Sequence, residues 1–158
     1  MLTFEAAFPE QYDDCVKLMM DEAGDYLRGT LKLMQISVDE FNHLLRTVGR
    51  LYAIYDDKQM AGFYWIEERE KVLHLHALLL KKHFQGKGIG TQTLNMLASK
   101  YKGRLTTIEL GVHESNEAAI RMYERNGFST VRQLEDLKFR IMQKDLSSAD
   151  ALATGKDN

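Results

Sequence analysis

The chain has 158 residues, 44% of them hydrophobic and 28% charged, with a formal net charge of -2. That length suits one domain with a sizeable core, and the near-neutral balance gives no electrostatic reason to expect nucleic acid or an anionic membrane as partner. Cys15 is the sole cysteine, which excludes an intramolecular disulfide and any zinc cluster built from several thiolates.

The first residues, MLTFEAAFPEQ, lack the basic segment and apolar core of a signal peptide. No apolar run approaches the roughly 18–20 residues of a membrane helix, so a reducing cytoplasm is the expected address. Leu2, Phe4, Ala6 and Phe8 alternate as in a half-buried strand ended by Pro9, and Gln11–Leu27 repeats apolar residues at helical spacing. Arg28–Ile36 is ambiguous. Ser37 is a good N-cap for a second helix through Val48. Leu51–Tyr55 and Gly62–Ile66 flank the polar Asp56–Gln59, which predicts a hairpin.

Val72–Leu80 is apolar on both faces near its end, as in a central strand. Thr91–Tyr101 reads as a helix stopped by Gly103, and Thr106–Val112 as a strand, so a parallel pair joined by a helical crossover is expected. Ser115 or Asn116 caps a helix through Arg125 that Asn126-Gly127 ends, and Phe128–Leu134 with Leu137–Lys144 forms a last strand pair. The tail from Ser147, residues 147–158, has little to bury and is expected to be disordered.

Between the central strand and the next helix lies Gln85-Gly86-Lys87-Gly88-Ile89-Gly90-Thr91. Glycines permit positive φ and let a ligand approach the backbone, and the helix start adds partial positive charge, so the loop suits a phosphate or pyrophosphate. The plainer reading is a glycine-rich turn. A P-loop would need Ser or Thr after Gly86-Lys87, where Gly88 stands; a Rossmann fingerprint would need G-x-G-x-x-G directly after its strand. Neither fits.

Gln85-x-x-Gly88-x-Gly90 resembles the acetyl-CoA-binding motif Q/R-x-x-G-x-G/A of the GNAT superfamily of N-acetyltransferases. A second stretch, matched at Asn116, Ala119, Tyr123, Gly127 and Phe128, resembles the family pattern N-x-x-A-x-x-x-Y-x-x-x-G-F. The resemblance covers nearly the whole chain to Leu146. It implies an α/β (α+β mixed) fold: a single GNAT-like domain, residues 1–146. A central mixed twisted sheet of about six to seven strands would be flanked by about four helices, in the order β1-α1-α2-β2-β3-β4-α3-β5-α4-β6-β7.

The resemblance also implies roles. Acetyl-CoA is the expected acetyl donor, its pyrophosphate held by Gln85, Gly86, Lys87, Gly88, Ile89, Gly90 and Thr91. Its pantetheine would lie along backbone at Leu78, Leu79 and Leu80, with Asn116, Ala119 and Arg121 as further contacts. The Leu78 amide is the expected donor to the thioester carbonyl. Tyr123 would protonate the departing thiolate; its plainer role is packing.

Some family members carry a glutamate base where His74 stands, with His76 two residues on along the same face; imidazole near its ordinary pKa of about 6.5 can take an ammonium proton. The pair is also readable as a polar sheet face, or as two metal ligands without a third. Glu67, Glu68, Glu70, Asp21, Glu22 and Asp25 could attract a cationic amine, though a solvated surface is the plainer reading. The expected function is acetylation of a primary amine of a small molecule or peptide. The alternative is a CoA-binding sensor or interaction module. The resemblance also brings homodimerisation, common in the family, as one expectation of assembly; no metal, nucleic acid or membrane partner is expected.

Overall fold

The computed structural model describes residues 1–147; all of the predicted tail except Ser147 lies outside the described residues. Seven strands and four helices follow in the order β1 (Leu2–Ala6), α1 (Pro9–Leu33), α2 (Val38–Thr47), β2 (Arg50–Asp56), β3 (Gln59–Arg69), β4 (Val72–Leu80), α3 (Ile89–Tyr101), β5 (Thr107–His113), α4 (Glu117–Arg125), β6 (Ser129–Leu134) and β7 (Phe139–Asp145). The chain divides into two units: Met1–Glu67 with His76–Ile89, and Glu68–Leu75 with the described residues from Gly90 onward. Strand β4 contributes to both, and the sheet order is β1-β2-β3-β4-β5-β7-β6.

In the first unit, β1, β2 and β3 pair antiparallel. Asp57 and Lys58, both at positive φ (49° and 72°), make the two-residue turn between β2 and β3, a backbone twist that matches the strands it joins. Helix α1 opens on Pro9, whose missing N–H costs nothing there, while the Gln11 carboxamide oxygen accepts the Phe8 N–H at 2.8 Å.

Helix α1 extends past the expected Leu27 to Leu33 and ends in a Schellman motif. Gln35 adopts a φ of 59°, Ile36 N–H donates to Leu31 O at 2.9 Å, and Gln35 N–H donates to Lys32 O at 3.1 Å. Helix α2 starts with a reciprocal capping box: Glu40 N–H donates to Ser37 Oγ and Ser37 N–H to Glu40 Oε1. The core of this unit gathers Cys15, Leu18, Met19, Leu45, Leu51, Ala53, Phe63 and Trp65; full burial of each large side chain stabilises by about 1.5–3 kcal/mol before chain entropy is counted.

In the second unit, β4 and β5 run parallel with Val72 opposite Thr107 through Leu75 opposite Leu110, β5 pairs antiparallel with β7, and β7 with β6. Leu94, Leu97, Tyr101, Ile108, Leu110, Val112, Ile120 and Met142 are buried. Helix α3 begins two residues before the expected Thr91, so Gly90 is helical. Gly103, at a φ of 87°, follows its last turn.

Candidate functional site

The glycine loop is held at both ends by side chains. Phe84 is buried. The Gln85 carboxamide donates to Glu22 Oε1 at 2.7 Å and to Leu80 O at 3.0 Å, fastening the loop to α1 and to the end of β4. Beyond this anchor Gly86 and Gly88 have φ of 75° and 80°, and a Cβ built on either meets nothing within 4 Å. Their glycine identity is therefore set by backbone conformation, with open space where side chains would stand. The Lys87 ammonium lies 5.8 Å from the Phe84 ring centroid, and Ile89 is buried.

Gly90 has a different setting. A Cβ there would sit 2.9 Å from Sδ of Met122, the far end of a flexible side chain on α4. Asn126 Nδ2 donates to Met122 O at 2.8 Å and to Thr91 Oγ1 at 3.3 Å, and Lys144 Nζ donates to Asn126 O at 2.8 Å.

On β4, Leu79 packs against the first unit's core, and its carbonyl faces Gly62, where a Cβ would lie 2.0 Å from the Leu79 oxygen. Leu78 and Leu80 are partly buried. Each histidine of this strand has a carboxylate partner. In the first unit His76 Nε2 is 2.8 Å from Glu67 Oε1, and its ring lies 4.8 Å from that of Trp65. In the second, His74 Nδ1 is 3.4 Å from Glu109 Oε2, while Gln143 donates to Glu109 Oε1 at 2.8 Å. Glu67 and Glu68 are surface carboxylates with specific partners: Glu68 accepts from both terminal nitrogens of Arg104, and that hydrogen bond holds the guanidinium above its ordinary pKa. Among the described residues no group of three or more His, Cys, Asp or Glu side chains is arranged to hold a metal.

The second signature is helix-terminus geometry. Asn116 caps α4, its Oδ1 accepting the Ala119 N–H at 3.3 Å, so two motif residues engage each other as N-cap and third residue. At the other end Phe128 N–H donates to Tyr123 O at 3.0 Å and Gly127 N–H to Glu124 O at 3.1 Å, with Gly127 at a φ of 92°. This is a Schellman motif, and its apolar contact is the edge-on pair of Tyr123 and Phe128, 5.6 Å between ring centroids. Arg121 is exposed, 3.9 Å from Glu117.

The first unit thus holds His76, Leu78–Leu80 and Gln85–Ile89; the second holds His74, Gly90, Thr91, Asn116, Ala119, Arg121 and Tyr123. Glu109, Gln143 and the pairing of Glu67 with His76 joined these residues only in the structure, because the contacts are between strands.

A family profile described as the acetyltransferase (GNAT) family matches residues 13–128. The chain belongs to that family. It is 32% identical over 100 residues to the probable spermine N(1)-acetyltransferase of Bacillus subtilis subsp. natto, a match covering 61% of this chain and 59% of that one. The spermine/spermidine N(1)-acetyltransferase of Bacillus subtilis strain 168 is 30% identical over the same shares of both chains. The matched stretch therefore spans less than two thirds of these curated relatives.

Among solved GNAT folds, the PaiA N-acetyltransferase of Thermoplasma acidophilum in complex with coenzyme A superposes with a TM-score of 0.69 at 18% identity, over 92% of this chain and 99% of that one. The spermidine N-acetyltransferase of Vibrio cholerae, in complex with CoA and spermine, gives 0.67 at 18% identity over 92% and 95%. These likenesses show the fold. Among the described residues no helix is long and apolar enough to cross a membrane.

Proposed function

We propose that this chain is an acetyl-CoA-dependent N-acetyltransferase that moves an acetyl group directly to a primary amine of a small molecule or peptide, with short aliphatic polyamines as the first acceptors to test. The observation that carries the reading is the loop. Two glycines with positive φ and open space at their missing side chains lead directly into α3, in a chain of the acetyltransferase (GNAT) family. A pyrophosphate fits such a cradle, where consecutive N–H groups and the helix start favour negative charge. The two curated relatives are named for spermine or spermidine acetylation, and Asp21 and Asp25 are exposed acidic groups on α1.

In this reading Gly86–Thr91 hold the diphosphate and Leu78–Leu80 present backbone to the pantetheine, while Gln85 keeps the loop in place. Asn116 and Ala119 fix the start of α4, and Arg121 and Lys87 offer positive charge to phosphate. Bound acetyl-CoA supplies an activated thioester. The Leu78 N–H polarises its carbonyl, a histidine of β4 takes the ammonium proton so that the amine nitrogen has its electron pair, and Tyr123 returns a proton to the departing sulfur. One proton is released per acetyl transferred.

The experiment measures free thiol released from acetyl-CoA across a panel of polyamines, amino acids and peptide N-termini, with Tyr123→Phe alongside. The expected result is amine-dependent release that drops about 10²-fold or more in Tyr123→Phe, with acetyl-CoA affinity by calorimetry unchanged. Binding of acetyl-CoA without release on any amine would make the chain a sensor. No binding at all would sink both readings.

A further inference from the structure

Each imidazole of β4 meets a carboxylate within its own unit, and the two contacts differ in length. His76 Nε2 is at hydrogen-bond distance from Glu67, 2.8 Å, whereas His74 Nδ1 is 3.4 Å from Glu109. Trp65 lies against His76 and is itself fixed, donating Nε1–H to Val48 O at 2.7 Å and meeting Phe41 edge-on at 6.1 Å. His76 is thus held between a carboxylate and an anchored indole. The His76 and Glu67 side chains remain 28% and 23% exposed, open enough for an amine to reach the ring.

We infer that His76 is the proton acceptor of the transfer and that Glu67 is the residue that positions it. The inference rests on the acetyltransferase reading above. With Nε2 facing the carboxylate, the neutral ring carries its proton on Nε2 and its lone pair on Nδ1. An ammonium acceptor gives one proton to Nδ1, which leaves an amine with its pair on nitrogen and an imidazolium facing Glu67. That pair forms the C–N bond as the C–S bond breaks with its electrons on sulfur. The second proton leaves the nitrogen to solvent, and Tyr123 protonates the sulfur.

Spacing along β4 relates His76 to the proposed carbonyl donor. Side chains on one face of a strand recur every two residues, roughly 7 Å. His76 stands one such step from Leu78, the proposed carbonyl donor, within reach of an amine held there, directly or through one water.

The test compares wild type with Glu67→Ala, Glu67→Asp, His76→Ala and the Glu67→Ala/His76→Ala double variant. It reads kcat and KM for the best amine, acetyl-CoA affinity by calorimetry, and the His76 tautomer in the resting protein by long-range ¹H–¹⁵N spectra. Expected are a kcat loss of about 10²-fold or more in His76→Ala, a loss of about tenfold in Glu67→Ala partly recovered by Glu67→Asp, and a double variant no slower than His76→Ala alone. Acetyl-CoA affinity stays constant throughout, and the wild-type ring carries its proton on Nε2, becoming a tautomer mixture in Glu67→Ala. Losses that multiply in the double variant, an unchanged kcat in Glu67→Ala, or a wild-type proton on Nδ1 would overturn the inference. A wild type inactive on every amine defeats the acetyltransferase reading instead, and the tautomer still decides whether Glu67 holds the ring.

Discussion

The backbone N–H of Phe128 donates to the carbonyl of Tyr123 at 3.0 Å while the two rings meet edge-on, so the helix terminus and the phenol are fixed by one motif. The glycine between them makes this possible: Gly127 sits at a φ of 92°, and a Cβ there meets nothing closer than Lys144 Cε at 3.5 Å. Gly127→Ala is therefore a conformational penalty without a clash. Stability should fall by about 1–2 kcal/mol, and kcat should fall with little change in acetyl-CoA affinity. Thermal unfolding and steady-state kinetics check both; an unchanged kcat would detach the motif from catalysis.

Gly62 raises the opposite issue. A Cβ there would lie 2.0 Å from Leu79 O and 2.9 Å from Leu80 Cα, both backbone. Gly62→Ala must push β3 away from the end of β4, at about 1–3 kcal/mol. Because Leu78–Leu80 are the proposed pantetheine contacts, acetyl-CoA affinity should fall as well. Calorimetry showing wild-type affinity in a destabilised variant would remove Leu78–Leu80 from the binding surface.

Glu40 links stability to pH. The Ser37 backbone N–H, and then its hydroxyl, hold this carboxyl below its ordinary value of 4.5. A lowered folded-state pKa means the contribution is complete above pH 4.5 and is lost as pH falls through the lower folded value. The stability gap between wild type and Glu40→Ala, from chemical denaturation, should thus be constant from neutral pH down to about 4.5 and shrink below it. A gap that persists at low pH would assign the effect to helix packing.

Cys15 is buried in the first unit's core, and burial pushes its thiol up to about 12. Thiolate is the reactive form, so the native protein should react slowly with thiol reagent and take up one equivalent only after unfolding. Rapid labelling of the native protein would show that this core opens.

Much of the fold was legible because its punctuation is chemical. Ser37, Asn116, and Asn126-Gly127 announce helix ends, and the strand–loop–helix run from Val72 is readable from periodicity. Helix α1 shows where the signal fails: its terminus uses Gln35 in a conformation glycine usually marks, so the boundary at Leu33 had no residue cue. The site divides similarly. Gly86, Gly88 and the Tyr123–Phe128 spacing are local and were visible, whereas Gln85 bonding Glu22, 63 residues away, and His76 bonding Glu67 depend on strand register and packing. Glu67 carries no mark in sequence that separates it from a solvated glutamate.

The central claim is acetyl transfer by this chain, and mass spectrometry of spermine and spermidine incubated with protein and acetyl-CoA tests it most directly. The account predicts an N-acetylated amine formed in step with free CoA, and far slower formation with Tyr123→Phe. Unmodified amines across the whole acceptor panel, with acetyl-CoA left intact at saturating concentration, would contradict it.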